Sequence, residues 1–462
     1  MGTQSEYQVE KSGTLHNLAE LQKSAAPIVV PSELPAWLGQ RGSWLTLDGV
    51  EAKTLVETYG TPLFVYSENA ILQQLNVIKS EFLHRYANTH AAYACKAFCS
   101  QYMCRLLDRE GFWIDVVSGG ELFTALSSGF PAHRIEFNGN NKTQQELRMA
   151  LEAGVGRFVI DAVTELYEIS ELVGALNLPP AKVLFRITPN VESDTHDYIT
   201  TGKKDSKFGI VLEDGILMPL IEDAIKLPTI DFLGFHFHVG SQLMEPKSHV
   251  KALETVLPLL KKTYTQFGYE VKDLNLGGGF GIRYTGEDQP MPLSAFIDPL
   301  MESLEKYCEA QGLSRPHVSI EPGRSIVGEA GVQLYTVGTI KEIPGIKTYI
   351  NVDGGMTDNI RPGLYGAKYY GLLANKMDWP IDCTVDISGK CCESTDILIR
   401  QLPLAKAASG DTLAVLSTGA YGYAMASNYN KLLLPAVVVV VDGTHFPMIR
   451  RQSYGDLLAL EV

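Results

Sequence analysis

Between residues 91 and 323 the chain repeats one rhythm: a short apolar run, a polar or glycine stop, then a stretch with apolar residues spaced three and four apart. The apolar runs begin with AAYACK (91–96), FWIDVVS (112–118), RIEFNG (134–139) and RFVID (157–161). They continue with VLFRIT (183–188), FLGFHFHV (232–239), DLNLGG (273–278) and HVSIEPG (317–323). Short, nearly continuous apolar runs suit parallel strands buried on both faces. The stretches between them, such as GGELFTALSSG and TQQELRMALEAG, have helical spacing and end on glycine, a common helix stop. Eight strands alternating with helices predict a (β/α)8 barrel over residues 63–327. A doubly wound sheet gives a similar pattern, but no GxGxxG follows the first strand.

The rhythm changes beyond residue 328. GVQLYTVGTIKEI, KTYINVDGG, TVDISG, DTLAVLS and PAVVVVVDGTHFPMIRRQ are β-rich and broken by glycine and proline. They predict an all-β sandwich or barrel domain over 328–462. The stretch 44–67, WLTLDGVEAKTLVETYGTPLFVYS, also has strand character, so the segment 31–62 is expected to join that domain. Residues 1–30 are expected to be a disordered tail. The fold class is therefore α/β plus all-β.

The formal net charge of -14 argues against a nucleic-acid or anionic-membrane partner, and a small-molecule substrate is expected instead. No apolar run is long enough for a membrane span, and no signal-peptide core is visible. Cytoplasm is the expected compartment, or an organelle such as a plastid. Seven cysteines in 462 residues are expected to be free thiols. Cys95, Cys99 and Cys104 lack the paired spacing of a zinc site, and no metal is expected.

In a barrel, chemistry belongs at the C-terminal ends of the strands. Those positions hold Lys96, Asp115, Asn138, Arg186, His238, Gly277-Gly278-Gly279 and Glu321. Each has a plainer reading alone: a solvated lysine, a core histidine, an Asp115–Arg186 ion pair, a tight strand-to-helix turn. Together they point further. The glycine turn and Glu321-Pro322-Gly323-Arg324 follow the seventh and eighth strands, where many barrels hold a phosphate. A lysine whose pKa is lowered by desolvation can form a Schiff base. A cofactor needing that lysine, a phosphate cradle and a charged partner for its ring nitrogen is pyridoxal 5'-phosphate, with Glu321 as the partner and His238 over the ring face.

The motifs YACK, WIDVVSGGEL, FNGNNKTQQEL, HDYITTGKKDSKFGI, GFHFHVGSQ, LNLGGGFGIRY, EPGRSIV, RPGLYGA and CCESTD stand in order between about residues 60 and 430. This run resembles the diaminopimelate decarboxylase family, of the alanine-racemase-like class of pyridoxal phosphate enzymes. The resemblance implies a head-to-tail homodimer with its sites at the interface. It makes Lys96 the Schiff-base lysine and Cys392 the proton donor. Asp115, Ser241, Gly278, Gly279 and the backbone at Gly323-Arg324 would contact the cofactor, with Tyr421 touching cofactor or substrate. Arg324, Arg361 and Tyr365 would bind substrate carboxylates, and Glu393 the distal ammonium. The implied reaction is decarboxylation of meso-diaminopimelate to L-lysine. Related decarboxylases act on ornithine, arginine, carboxynorspermidine or a carrier-bound amino acid. Arg361 beside Glu393 favours a substrate with a far carboxylate as well as a far amine. Two departures from the family pattern are Thr395, where glycine is more usual, and the cysteine and phenylalanine of YACKAFCS.

Overall fold

The computed structural model describes residues 26–191 and 206–462. The expected tail before residue 26 and most of HDYITTGKKDSKFGI lie outside the described residues. Eight parallel strands form the barrel: β1 (Thr89–Ala94), β2 (Trp113–Val116), β3 (Ile135–Phe137), β4 (Arg157–Ile160), β5 (Ala181–Thr188), β6 (Ile230–His236), β7 (Asp273–Asn275) and β8 (His317–Ile320), with the two-residue strand Ile210–Val211 added beside β5. Each pairs with the next, and β8 pairs with β1, so the sheet closes into a barrel. All eight expected strands are present. The helices between them start where the sequence supplies a cap. Ser100 and Ser118 accept the amides of Met103 and Glu121, and Thr143 with Glu146 forms a reciprocal capping box.

The second sheet has nine strands, centred on the long strand Gly331–Ile343. Its first half bonds Leu63–Ser67 and Thr412–Val415, and its second half bonds Lys347–Val352. Leu63–Ser67 also pairs in parallel with Ala436–Val441. It closes the strand-like stretch 44–67 and lies past the expected boundary of the N-terminal segment at residue 62, so the N-terminal share of the β domain runs to Ser67. All five of its residues are buried, and a strand covered on both faces reads alike in either sheet. A three-stranded meander, Leu38–Arg41, Trp44–Leu47 and Val50–Glu51, adds Leu38, Leu45, Leu47 and Val50 to the same apolar core.

The expected tail ends sooner than residue 30. Ile28 is buried, its amide donates to the Gln401 carbonyl at 3.0 Å, and the Val29 carbonyl accepts from the Gly286 amide at 2.8 Å. Burial of Ile28, with these two backbone hydrogen bonds, offsets the entropy of fixing this backbone, while Val29 and Val30 stay exposed. Among the described residues no helix is long and apolar enough to cross a membrane.

Candidate active site

A cavity of about 410 Å³ opens at the C-terminal mouth of the barrel, beneath the β domain. Lys96 enters it from the single 3-10 turn that ends β1, Cys95–Ala97. The β domain grips this turn: the Tyr421 amide donates to the Ala97 carbonyl at 2.8 Å, and Tyr421 adopts a left-handed backbone at φ 59°. Few residues with a Cβ take that conformation, and those that do cluster where surrounding structure fixes them, as at sites.

Glu321 lies at the end of β8. Its Oε1 accepts Nδ2–H bonds from Asn138 at 3.0 Å and Asn275 at 2.9 Å, and Oε2 lies 3.1 Å from His236 Nε2. Burial opposes its charge, but His236, then Lys96 and His238, outweigh burial and hold the carboxyl well below the usual range. Asn138 Nδ2 also donates to Asp115 Oδ1 at 2.7 Å. Burial, then the charge of Glu321, pushes the Asp115 carboxyl well above its ordinary value. Burial, then Lys96 and Arg186, pushes the His238 imidazole well below its own. A neutral histidine and an ionised glutamate thus face the same cavity.

The glycine turn after β7 is packed without slack. A Cβ on Gly278 would lie 1.9 Å from the Glu321 carbonyl oxygen, and one on Gly279, at φ +98°, 2.2 Å from that of Gly240. The Gly278 amide donates to His238 Nδ1 at 3.3 Å, and buried His249 donates to the Gly278 carbonyl at 2.8 Å. Ser241, Gly279, Gly323 and Arg324 line this end of the cavity, and Arg324 donates to Ser241 Oγ at 2.7 Å.

Two guanidiniums set the character of the wall. Arg324 lies 4.8 Å and Arg361 5.3 Å from the Tyr421 ring centroid, and Arg361 Nε donates to Tyr369 Oη at 3.0 Å. Both side chains are buried, and among the described residues no carboxylate pairs with either. Arg324 Nε, too, is buried with no partner among the described residues. The short helix Arg361–Tyr365 brings Tyr365 in beside Arg361, with ring and guanidinium 5.4 Å apart. Buried cations without anionic partners are costly, and they fit a site made for an anionic ligand.

Residues 70–328 match the family model of the pyridoxal-dependent decarboxylase, pyridoxal binding domain. Diaminopimelate decarboxylase of Bacillus subtilis is 46% identical over 418 residues, covering 90% of this chain and 95% of that protein. The Bacillus methanolicus enzyme of the same name is 46% identical over 408 residues, covering 88% and 94%. The crystal structure of the M. jannaschii diaminopimelate decarboxylase with L-lysine superposes at a TM-score of 0.87, with 36% identity over 92% of this chain and 98% of that one. The chain belongs to the diaminopimelate decarboxylases. As a member it is a carboxy-lyase with the pyridoxal-dependent barrel and the separate β domain of that family.

Not every expected residue of this diaminopimelate decarboxylase meets in the cavity. Cys392 is exposed on a loop of the β domain, its amide donating to Asn430 Oδ1 at 2.8 Å. Glu393 follows it, with Oε1 accepting from Ser394 Oγ at 3.2 Å and from the Thr395 amide and hydroxyl at 3.3 Å. The departure at Thr395 therefore has a local use: its hydroxyl helps hold Glu393.

Two expectations need correction. The Lys96 ammonium is raised, not lowered: burial favours lowering, but Tyr421, Asp115 and Glu321 outweigh it. Arg186 does not pair with Asp115; its ion pair, at 3.6 Å, is with Asp161 on the loop after β4. Sequence reading also missed His236, Asn275 and Asp161. His236 had a signal, because it stands two residues from His238 in FHFH and period two puts both on one face.

Proposed function

We infer that this chain removes carbon dioxide from one end of meso-diaminopimelate and leaves L-lysine, with pyridoxal phosphate as cofactor and a second copy completing each site. The observation that carries this reading is the pair of buried guanidiniums, Arg324 and Arg361, with no carboxylate partner among the described residues, in a cavity that also holds Lys96 and ionised Glu321. The residues fit the cofactor. Arg324 Nε, buried without a partner among the described residues, and the glycine turn suit a phosphate, and the ionised carboxylate suits a protonated ring nitrogen.

Lys96 Nζ would hold the cofactor through its aldehyde carbon; Ser241, Gly278, Gly279, Gly323 and Arg324 would hold its phosphate. When bound, pyridoxal phosphate supplies the electron sink for the pair left at the α-carbon as the carboxylate departs. Glu321 would hold a ring-nitrogen proton in place by its charge, and the two asparagines and His236 keep Glu321 from turning away. Neutral His238 can lie against the ring without adding a second positive charge. Arg361 and Tyr365 would receive a substrate carboxylate. Cys392 and Glu393 do not line this cavity, and their exposed loop would reach a site presented by a second copy. There the Cys392 thiol would give its proton to the α-carbon, and Glu393 would take the far ammonium.

Purified protein should form L-lysine from meso-diaminopimelate faster than it consumes ornithine, arginine or lysine. Preference for one of those three would overturn the substrate assignment.

A further inference from the structure

A second polar system crosses the barrel from the opposite mouth. A wider cavity of about 690 Å³ opens there, between the N-terminal ends of the strands, and His317, Arg157 and Asp273 help line it. From His317 a continuous column of hydrogen bonds runs inward. His317 Nε2 lies 2.5 Å from His90 Nδ1, and His90 Nε2 lies 2.7 Å from Glu136 Oε1. Glu136 Oε2 accepts from Asn275 Nδ2 at 2.9 Å, and the same nitrogen donates to Glu321 Oε1 at 2.9 Å. Glu136 and Asn275 are fully buried, and His90 is 7% exposed.

The directions of these bonds can be worked out from the two ends. At the inner end the Gly277 amide donates to Asn275 Oδ1 at 2.9 Å, so the amino group of Asn275 is the one facing both carboxyls. At the outer end His317 Nδ1 lies 2.8 Å from Asn88 Oδ1, a carbonyl oxygen that only accepts. His317 Nδ1 therefore carries hydrogen. Burial lowers the pKa of His317 to about 4 and, with Arg157 adding to it, that of His90 to about 3, so both rings are neutral at pH 7. A neutral His317 protonated at Nδ1 accepts at Nε2, so His90 donates from Nδ1. His90 then accepts at Nε2, and the hydrogen of that last bond must sit on Glu136.

We propose that Glu136 is a positioning residue for Glu321: it stands protonated, exchanges that proton with solvent through His90 and His317, and sets through Asn275 the negative charge beneath the cavity. The transfer balances. A proton from water adds to His317 Nδ1, the Nε2 hydrogen of His317 passes to His90 Nδ1, and the Nε2 hydrogen of His90 passes to Glu136 Oε1. Both imidazoles end neutral, and the net change is one proton moved from solvent to the carboxylate.

The surroundings agree. Burial, which dominates, and the charges of Glu321 and Asp273 raise the Glu136 carboxyl to about 8, against the lowering pull of Arg157 and His236. Arg157 lies only 3.8 Å from Glu136 Oε1 but is bound more closely to Asp273, at 2.6 Å. Asp115, from β2, adds a further carboxyl whose proton affinity Glu136 raises. Ionised Glu136 would place a second negative charge on the amide that Glu321 uses and raise the proton affinity of Glu321.

The coupling to Glu321 rests on the reading of that residue as the ring-nitrogen partner, so the test has two arms. In full-length, cofactor-loaded enzyme labelled with 15N-histidine, His90 should be the Nδ1–H tautomer at neutral pH and change to Nε2–H as pH rises through about 8. In Glu136→Gln, whose amide donates at every pH, His90 should stay Nδ1–H throughout. An Nε2–H ring at neutral pH, or identical titrations of the two proteins, would overturn the proton assignment, whatever Glu321 does. In the second arm, wild-type kcat/KM should step down to a lower plateau as pH passes that midpoint, because the added charge weakens Glu321 without protonating it, and the Glu136→Gln ratio between pH 9 and 7 should stay near one. A Gln variant that keeps the wild-type fall would refute the coupling alone. A Glu321→Gln enzyme of normal rate with the His90 switch intact would mean that the reading of Glu321, not the relay, is wrong.

Discussion

Replacing Arg361 by methionine separates the proposed substrate contact from any structural use of the same side chain. Arg361 is 8% exposed and donates to one neutral oxygen, Tyr369 Oη, at 3.0 Å. Losing that bond strands a buried hydroxyl and costs about 1 kcal/mol. Removing a buried cation that has no carboxylate partner among the described residues offsets this, and the methionine refills the volume of the arginine stem. Stability should therefore stay nearly level, with Tm shifting by no more than about 3 °C. Substrate binding should not. A buried two-point bond from guanidinium to carboxylate is worth about 3–5 kcal/mol, because truncation leaves the substrate carboxylate desolvated and unpaired. At 1.36 kcal/mol per power of ten this predicts a fall in kcat/KM for meso-diaminopimelate of about two to four powers of ten, mainly through KM. Arg361→Lys should recover only part of it, since a point charge cannot reproduce the planar fork. Lysine formation by the purified variants, beside their thermal melts, measures both quantities. A loss below ten-fold at unchanged Tm would refute the contact, and a collapse in Tm would mean that the guanidinium is structural after all.

Other outcomes follow from the same geometry. Lys96→Ala should lose the visible absorbance of lysine-bound cofactor together with activity; a persisting band would place the link elsewhere. Gly278→Ala forces a Cβ to within 1.9 Å of the Glu321 carbonyl and should destabilise by more than about 3 kcal/mol or fail to fold, read by urea titration. A shared site predicts complementation: Lys96→Ala and Cys392→Ala, each inactive, should regain about a quarter of wild-type activity when dissociated and reassociated together, because half the dimers are mixed and each has one intact site. No recovery on mixing would place Cys392 outside the partner's chemistry.

How much of this was legible depended on what each residue touches. The barrel strands could be read because burial on both faces imposes an apolar run, and a run records itself locally. The same reasoning set the domain boundary just before Leu63–Ser67, a run of identical character that pairs with Gly331–Ile343 and Ala436–Val441. It also passed over Gly371–Leu373, three residues long, and Ile397–Leu404, where glutamine, arginine and proline interrupt the pattern. In the site, Lys96, His238, Glu321 and the glycine turn announced themselves because polar or glycine residues stand where strands stop. The direction of the Lys96 shift did not, because it depends on Tyr421 of the β domain and on which carboxyls converge from other strands.

The column through the barrel shows the limit most clearly. Glu136, Asn275 and His317 stand inside stretches already read as strands, and nothing local separates them from solvent-facing polar residues of the same runs. Their partners are far away in sequence: Glu136 meets His90 across 46 positions and Asn275 across 139. β1 and β3 are not neighbours in the sheet, nor are β3 and β7, so these bonds can only cross the interior. Barrels usually fill that interior with layers of branched apolar side chains, which need no partners to be stable. A buried polar group left unpaired costs about 1–3 kcal/mol, so a polar interior selected for stability alone would be a poor choice. Here the polar column ends on Glu321, the carboxylate the cavity depends on, and there it adjusts a charge that an apolar core would leave unregulated.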